Sequence, residues 1–169
     1  MRKSNHPRRG RIPVSVGVCG LLLLSACHER NAATMRVDLR DLATRYAAAW
    51  SSQDPGRLAA FYADSGTLVV NAGAPSVGRA AIRATVQSFM AAFPDMVVRM
   101  DSVLDRGDRA EFHWTWTGTN TGPSGTGRAV RIKGYEEWTL DQDGLIRESR
   151  GHYDEAEYHR QVDLVRGQT

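Results

Sequence analysis

The chain has 169 residues, of which 41% are hydrophobic and 24% charged, with 16 glycines, 6 prolines and 2 cysteines. This length supports one globular domain, and the composition excludes collagen, a coiled coil, a disulfide-rich scaffold and a fully disordered chain. The formal charge is +3, but residues 1–26 contain five basic residues and no acidic one, so the rest of the chain carries −2. The basic charge therefore belongs to the N-terminal segment, and we expect no nucleic-acid partner.

The N-terminal segment predicts export. Residues 1–11 are basic and residues 12–24 apolar, as in a secretory signal, and the apolar run is shorter than the ~20 residues of a membrane-spanning helix. Leu24-Ser25-Ala26-Cys27 resembles the lipobox of bacterial lipoproteins, in which the cysteine is acylated after the leader, here residues 1–26, is removed. We expect membrane anchoring through Cys27 on the periplasmic or extracellular face, with residues 27–36 as a polar tether. The alternative is an ordinary signal peptide with an incidental cysteine.

The first part of the remaining chain predicts helices with one strand between them. Asp38 is placed to cap a helix whose apolar residues recur at 3.6-residue spacing, and Asp54-Pro55 marks the start of a second helix. Residues 66–71 are a predicted strand. Gly78 begins a third helix, which Pro94 ends.

After Pro94 the hydrophobic period changes to two. Short turns separate four predicted strands, and a closing helix follows. The strands span residues 96–104, 110–120, 129–140 and 145–154, and the closing helix spans residues 155–165. Helices followed by an antiparallel meander predict an α+β domain, over residues 37–166, with helices packed on one face of the sheet.

This order, α-α-β-α-β-β-β-β, resembles the nuclear transport factor 2-like (NTF2-like) superfamily, whose curved, mainly antiparallel sheet wraps helices into a cone with a pocket. Several short motifs are similar to the SnoaL-like branch of polyketide cyclases and ester cyclases. They are Phe93-Pro94-Asp95, residues 113–122 (HWTWTGTNTG), Asp143-Gly144-Leu145-Ile146, Tyr153-Asp154 and Arg160-Gln161. The resemblance covers residues 39–165.

The resemblance implies a small hydrophobic ligand, chemistry without a cofactor and a fold that allows a homodimer. In characterised cyclases of this branch an aspartate on the final strand is the acid/base in an intramolecular aldol ring closure, and Asp154 holds that motif position. Two positions depart from the branch. Asn120 stands where many relatives have histidine, and the histidine partner of the aspartate aligns near Leu140.

Strand alternation selects the side chains that face the predicted pocket. Glu136 lies in the middle of an otherwise apolar strand face, where burial would raise the pKa of its carboxyl and suit it to proton transfer. On the last strand Arg150, His152 and Asp154 are in phase with Ile146, so they enter the pocket if Ile146 faces inward. The predicted ligand-binding residues are Phe112, Trp114, Trp116, Asn120 and Trp138.

In the resulting hypothesis Asp154 transfers a proton, His152 and Glu136 orient or stabilise an enolate, and Arg150 assists. Each residue has a structural alternative. Asp154 also fits the N-cap of the closing helix, Arg150 fits an ion pair with Glu136 or Glu148, and His152 fits a hydrogen-bonded wall. The tryptophans fit core packing as well as ligand contact.

Three functions are compatible with these residues. The first is a cofactor-independent cyclase, isomerase or hydratase acting on an apolar carbonyl compound. The second is a non-catalytic ligand-binding lipoprotein, and the third a structural lipoprotein of the cell envelope. A metal site is not expected, because the helix start between Asp154 and His159 separates them from one shared face.

Overall fold

The computed structural model describes residues 37–163. The predicted signal, the tether with Cys27 and the last three residues of the predicted domain lie outside the described residues. The helices are α1 (Leu39–Trp50), α2 (Pro55–Ala59), α3 (Gly78–Ala92) and α4 (Glu155–Val162). The strands are β1 (Tyr62–Val70), β2 (Ser76–Val77), β3 (Val97–Asp105), β4 (Ala110–Thr119), β5 (Ala129–Leu140) and β6 (Ile146–Tyr153).

Side-chain caps begin the first two helices, as predicted. The Asp38 carboxylate accepts hydrogen bonds from the backbone N–H groups of Arg40 and Asp41, at 3.0 and 3.1 Å. Asp54 caps α2 in the same way, and Pro55 occupies its first helical position. These caps satisfy N–H groups that lack a partner inside the helix, so they define where each helix starts.

The six strands form one curved, open sheet in the order β2-β1-β6-β5-β4-β3. All neighbouring strands are antiparallel except β1 and β6, which are parallel. Helix α1 packs against β3 and β4, and α3 packs against β1. The predicted α+β fold with helices on the sheet is confirmed. No helix among residues 37–163 is long and apolar enough to cross a bilayer.

Strand β1 starts earlier than the sequence predicts. It begins at Tyr62 instead of residue 66, and the intervening residues include Asp64 and Ser65, which have low strand propensity. Pairing with β6 overrides that propensity, with Tyr62 opposite Ile146 in a locally irregular register. The short strand β2 pairs with β1 and was not predicted.

A register shift in β6 changes which side chains face the helices. Thr139 pairs with Glu148 and Leu140 pairs with Ile146, so β6 carries one more residue than β5 between these pairs. Such a bulge moves every later side chain to the opposite face. Ile146 is buried, and beyond the bulge Ser149 and Gly151 are the buried residues.

This shift overturns the expected strand phase. Arg150 is exposed and His152 is half-buried, and neither lies on the face that packs against the helices. The prediction that Ile146 would carry Arg150, His152 and Asp154 into the concave face is therefore wrong. Periodicity alone could not show the extra residue, because Arg147 fits the alternating pattern of an unbulged strand.

Candidate functional site

A cavity lies between the concave face of the sheet and helices α1 and α3. Its volume is about 60 Å³, counted as space open to the centre of a water molecule. The cavity therefore has room for several water molecules, or for a ligand of a few heavy atoms. It is lined by Trp50, Leu68, Val70, Phe89, Met96, Val98, Trp114, Trp116, Glu136, Gly151 and Tyr153. Glu136 therefore supplies the only carboxyl among these lining residues.

Glu136 is held by hydrogen bonds from three elements. Its Oε2 atom accepts hydrogen bonds from the Tyr46 hydroxyl at 2.9 Å, Trp138 Nε1 at 2.9 Å and Ser149 Oγ at 2.6 Å. The hydroxyls of Tyr46 and Tyr62 are 2.8 Å apart. Because the Tyr46 proton is directed to Glu136, the Tyr62 hydroxyl donates to Tyr46. The result is a buried network of hydrogen bonds whose final acceptor is a single carboxylate oxygen, Glu136 Oε2.

The second carboxylate oxygen is left for the cavity. None of the hydrogen bonds within residues 37–163 reaches Glu136 Oε1, and this atom is not among the fully shielded polar atoms. With Oε2 accepting three hydrogen bonds, a proton on the carboxyl belongs on Oε1. Glu136 can therefore donate or accept a proton toward the cavity through that atom.

Two opposing effects act on the pKa of Glu136. Burial raises the pKa of Glu136, and the hydrogen bonds from Ser149, Trp138 and Tyr46 lower it, with burial the larger influence. Burial also raises the pKa of Tyr46 and of Tyr62, and the nearby Glu136 charge adds to both increases. Both tyrosines therefore remain neutral donors at physiological pH. No ion pair within the described residues includes Glu136.

Trp114 and Trp116 line the cavity, as predicted. Their indole nitrogens are shielded and have no hydrogen-bond partner among residues 37–163, so carbon atoms of these rings contact the cavity. Gly134 makes the position of Trp114 possible, since a Cβ atom at residue 134 would lie 2.5 Å from Trp114 Cζ2.

Phe112 and Trp138 belong to the core instead of the cavity wall. Both are fully buried and stack at 4.8 Å between ring centroids. The Tyr46 ring of α1 packs edge-on against each of them, at 5.6 and 4.9 Å. Their predicted strand face is correct, but α1 covers that end of it. Trp138 still contributes to the site through its hydrogen bond to Glu136.

Asp154 caps α4 and does not line the cavity. It is exposed, and its Oδ1 atom accepts a hydrogen bond of 3.0 Å from the Glu157 backbone N–H. The Glu157 carboxylate binds Arg160 and Gln161 instead of returning to the cap, so only half of a capping box forms. Asp154 is therefore the N-cap of α4, which is the structural role that the sequence offered as an alternative to catalysis.

Arg150 and His152 lie on the outer face of the sheet. Arg150 forms an ion pair of 2.6 Å with Glu148 of the same strand. The His152 ring stacks on Tyr135 at 4.7 Å, and its Nε2 atom is 3.6 Å from a Glu137 carboxylate oxygen, beyond hydrogen-bond distance. Neither side chain reaches Glu136, so the predicted line of polar groups is not assembled.

Asn120 has a local structural role in the loop after β4. Its side-chain amide donates to the Ala92 carbonyl at 3.2 Å, and its carbonyl accepts from the Thr126 backbone N–H at 2.8 Å. This side chain joins the loop to the end of α3 and does not line the cavity. Within residues 37–163 no three His, Cys, Asp or Glu side chains are grouped to bind a metal ion.

Sequence reasoning missed the partners of Glu136. Tyr46 falls in the apolar stripe of the first predicted helix, and Tyr62 follows the start of the second, so neither position indicates a polar role. Strict alternation from Ile146 would turn Ser149 to the outer face of the sheet, and the bulge in β6 turns it inward instead. The available signal was a set of hydroxyls within apolar segments, which indicates a buried hydrogen-bond acceptor.

A curved open sheet that encloses a small, apolar cavity with one carboxyl defines an NTF2-like pocket domain. The family of SnoaL-like domains matches residues 43–149, and the chain belongs to this family. A search of the curated proteins gives no match.

Solved structures show the same fold. One is a hypothetical protein of ketosteroid isomerase-like fold from Catenulispora acidiphila DSM 44928, solved in complex with trimethylamine. It is 22% identical to this chain with a TM-score of 0.66, and the match covers 73% of this chain and 93% of that protein. An NTF2-like protein of unknown function from Burkholderia pseudomallei K96243 is 17% identical, with a TM-score of 0.64 and coverages of 74% and 97%. A candidate SnoaL-like polyketide cyclase from Jannaschia sp. CCS1 is 16% identical, with a TM-score of 0.59 and coverages of 72% and 92%.

Proposed function

We propose that this protein binds a small, mostly apolar molecule in the cavity and that Glu136 exchanges a proton with it. This proposal rests on the buried Glu136 carboxyl, whose Oε2 atom accepts three hydrogen bonds while its Oε1 atom accepts none from residues 37–163. Apolar cavities with one convergent polar group are typical small-molecule sites. The trimethylamine complex of one relative and the SnoaL-like family support small-molecule binding.

The proposed chemistry is proton transfer next to a carbonyl group, without a cofactor. The Glu136 carboxylate takes a proton from the α-carbon at Oε1, and the electron pair of the broken C–H bond moves into an enolate. Returning the proton to a different carbon completes an isomerisation. Adding the enolate carbon to a second carbonyl closes a ring and forms an alkoxide, which takes the proton back from Glu136 and completes an aldol reaction. Burial suits Glu136 to this role, because a raised pKa moves a carboxyl closer to neutral pH. The acid/base role predicted for Asp154 passes to Glu136 in this proposal.

Hydrogen–deuterium exchange tests the chemistry without knowledge of the natural substrate. Acetone and butanone, with four and five heavy atoms, are incubated with the protein in heavy water, and NMR measures deuterium incorporation at the α-carbons. We expect exchange above the buffer rate that is lost in Glu136→Gln and kept in Glu137→Gln, whose carboxyl lies on the outer face. Exchange equal in Glu136→Gln and the unchanged protein would contradict the role of Glu136.

Binding without exchange would favour the second candidate, a non-catalytic ligand-binding lipoprotein. The observation that favours it is the small apolar cavity itself, which needs no turnover to hold a ligand. Tryptophan fluorescence shows whether a ligand is bound, since Trp50, Trp114 and Trp116 line the cavity. Together with the deuterium exchange measurement it distinguishes a binding protein from an enzyme.

We also propose that the protein is exported and anchored to a membrane through acylated Cys27. The basic segment, the apolar run and the lipobox-like residues 24–27 support this proposal. Two or three acyl chains would hold the protein stably, at about 0.8 kcal/mol per buried methylene. The pocket would then act on molecules at the cell envelope.

A homodimer through the outer face of the sheet is a further part of this proposal. That face carries Tyr135, whose side chain is exposed and whose ring stacks against both His113 and His152. Sedimentation of the purified protein tests it, with Tyr135→Arg expected to shift a dimer toward monomer. A monomer at all concentrations would contradict it.

A further inference from the structure

The cavity wall is built of aromatic rings set at right angles. Trp50 and Phe89 meet edge to face at 6.1 Å between centroids with an interplanar angle of 85°. Phe89 and Trp116 meet in the same way at 6.3 Å and 87°. Trp114 and Tyr153 complete the aromatic lining. Five aromatic side chains therefore form a box around one small space, and the face of an aromatic ring is electron-rich.

Among residues 37–163 no positive side chain lines this box with Glu136. The titratable groups that face Glu136 are neutral tyrosines, Tyr46 from α1 and Tyr62 from β1, and Tyr153 of β6 lines the same cavity. The other described residues that line the cavity, from α1, β1, α3, β3, β4 and β6 and from the position before β3, are apolar. An ionised Glu136 is therefore buried without a counter-ion from residues 37–163, an arrangement that costs free energy.

We infer that the cavity binds a small alkylammonium cation, either a quaternary ammonium or a protonated tertiary amine, with Glu136 as its counter-ion. This inference rests on the proposed binding function and is independent of proton transfer. Aromatic rings attract such cations through cation–π interactions, most strongly where water is excluded. The charge pairing with Glu136 Oε1 adds to this attraction because both groups are desolvated.

The size of the cavity agrees with this ligand class. A cavity of this size has room for a compact ligand such as tetramethylammonium, which has five heavy atoms. The neutral molecule tert-butanol has the same number of heavy atoms and the same branched shape. The pair therefore differs mainly in charge, so a comparison of their affinities isolates the contribution of Glu136 and of the aromatic rings.

Binding of the cation should depend on pH because the Glu136 carboxyl must be ionised to pair with it. Burial favours the neutral form of Glu136, and a bound cation favours the ionised form, so binding of tetramethylammonium releases a proton from Glu136. Affinity for the cation should rise as pH rises through the raised pKa of Glu136 and become constant above it. The facing tyrosines do not titrate in this range, since the pKa of each is raised above its usual value. Affinity for tert-butanol, which carries no charge, should depend on pH much less.

The test is a titration of the purified full chain with tetramethylammonium, tert-butanol and butanone, followed by tryptophan fluorescence between pH 5 and 9. We expect the cation to bind about tenfold more weakly to Glu136→Gln than to the unchanged protein, with Glu137→Gln unchanged. Trp50→Leu keeps an apolar wall and removes one ring, so it should weaken the binding of the cation more than that of tert-butanol. Circular dichroism verifies that each variant folds.

Two results would overturn the inference. In the first, tert-butanol binds as tightly as the cation with no dependence on pH or Glu136. In the second, the cation does not bind. Butanone separates these results from failure of the proposed function. If butanone binds while the cation does not, the cavity is a small-molecule site for neutral ligands. If all three fail to bind, the proposed function fails as well.

Discussion

Ser149 and Glu136 lie on neighbouring strands, and the Ser149 hydroxyl donates a hydrogen bond of 2.6 Å to Glu136 Oε2. This contact depends on the bulge in β6, which turns Ser149 inward and Arg150 outward. An unbulged strand would place a guanidinium beside Glu136 and give it a counter-ion. With Ser149 there instead, Glu136 is a buried carboxyl held by neutral donors.

Ser149→Ala should raise the pKa of Glu136. The hydrogen bond from Ser149 stabilises the ionised carboxylate and so lowers the pKa of Glu136. Without it, only the hydrogen bonds from Trp138 and Tyr46 oppose the increase that burial causes. The variant should also lose about 1–3 kcal/mol of stability at a pH where Glu136 is ionised. The carboxyl pKa is measured by carbon NMR with labelled glutamate. Tyr62→Phe is the control, because Tyr62 donates to Tyr46 and not to Glu136, so its effect on the pKa should be smaller.

Glu136→Gln should change the pH dependence of stability. The folded pKa of Glu136 is raised, so the unfolded chain releases this proton first as pH rises, and native stability falls from about pH 4 until the folded pKa is passed. Each unit of raised pKa costs about 1.4 kcal/mol above that range. The glutamine variant lacks this decline. In urea unfolding, the free energy of unfolding of the variant should therefore increase relative to that of the unchanged protein as pH rises. A pH-independent difference between the two proteins would contradict a raised pKa.

Two glycine substitutions should separate stability from binding. At Gly151, which lines the cavity, an added Cβ would lie 3.6 Å from Glu136 Cγ, an ordinary contact. Gly151→Ala should keep stability and weaken ligand binding by filling space. At Gly134 the Cβ would collide with the Trp114 ring and the His152 carbonyl. Gly134→Ala should therefore cost about 1–3 kcal/mol. Thermal unfolding and tryptophan fluorescence measure the two effects, and full retention of binding in Gly151→Ala would argue against this cavity as the ligand site.

Asp154→Ala should destabilise the protein by about 1 kcal/mol, and Asp154→Asn by only a few tenths, because asparagine caps a helix nearly as well. Both variants should keep ligand binding and deuterium exchange, since Asp154 lies outside the cavity. Denaturant unfolding gives the first result and NMR the second. If Asp154→Asn lost deuterium exchange while keeping its stability, the acid/base role would return to Asp154.

Cys27→Ala should abolish lipid modification and release the protein from the membrane fraction. Cys19→Ala is the matched control, because bulky Val18 precedes Cys19 and two small residues precede Cys27. Mass spectrometry of the protein expressed in a bacterial host gives the modification, and fractionation gives the location. Equal membrane retention of both variants would contradict anchoring through Cys27.

The sequence predicted the parts of the site that depend on local pattern. Period-two alternation placed Trp114, Trp116 and Glu136 on one face, and all three line the cavity. Caps at Asp38 and Asp54 were readable because an acidic residue before an apolar stripe satisfies free backbone N–H groups. These features arise from contacts between residues a few positions apart, so a single chain displays them directly.

Tertiary structure decided which predicted polar residues belong to the site. Tyr46 reaches Glu136 across 90 positions of sequence, and no local pattern pairs them. The parallel pairing of β1 with β6 is equally non-local. Helix α1 covers Phe112 and Trp138, which share the cavity face but lie under the Tyr46 ring.

By itself, then, the sequence determined an α+β domain of the SnoaL-like kind with an aromatic sheet face and one carboxyl in the middle of it. Tertiary structure alone decided that the group of Arg150, His152 and Asp154 does not join Glu136 at the cavity. The physical reason is the bulge at the start of β6, set by the pairing of β6 with β5. One extra residue there reverses the faces of all later side chains.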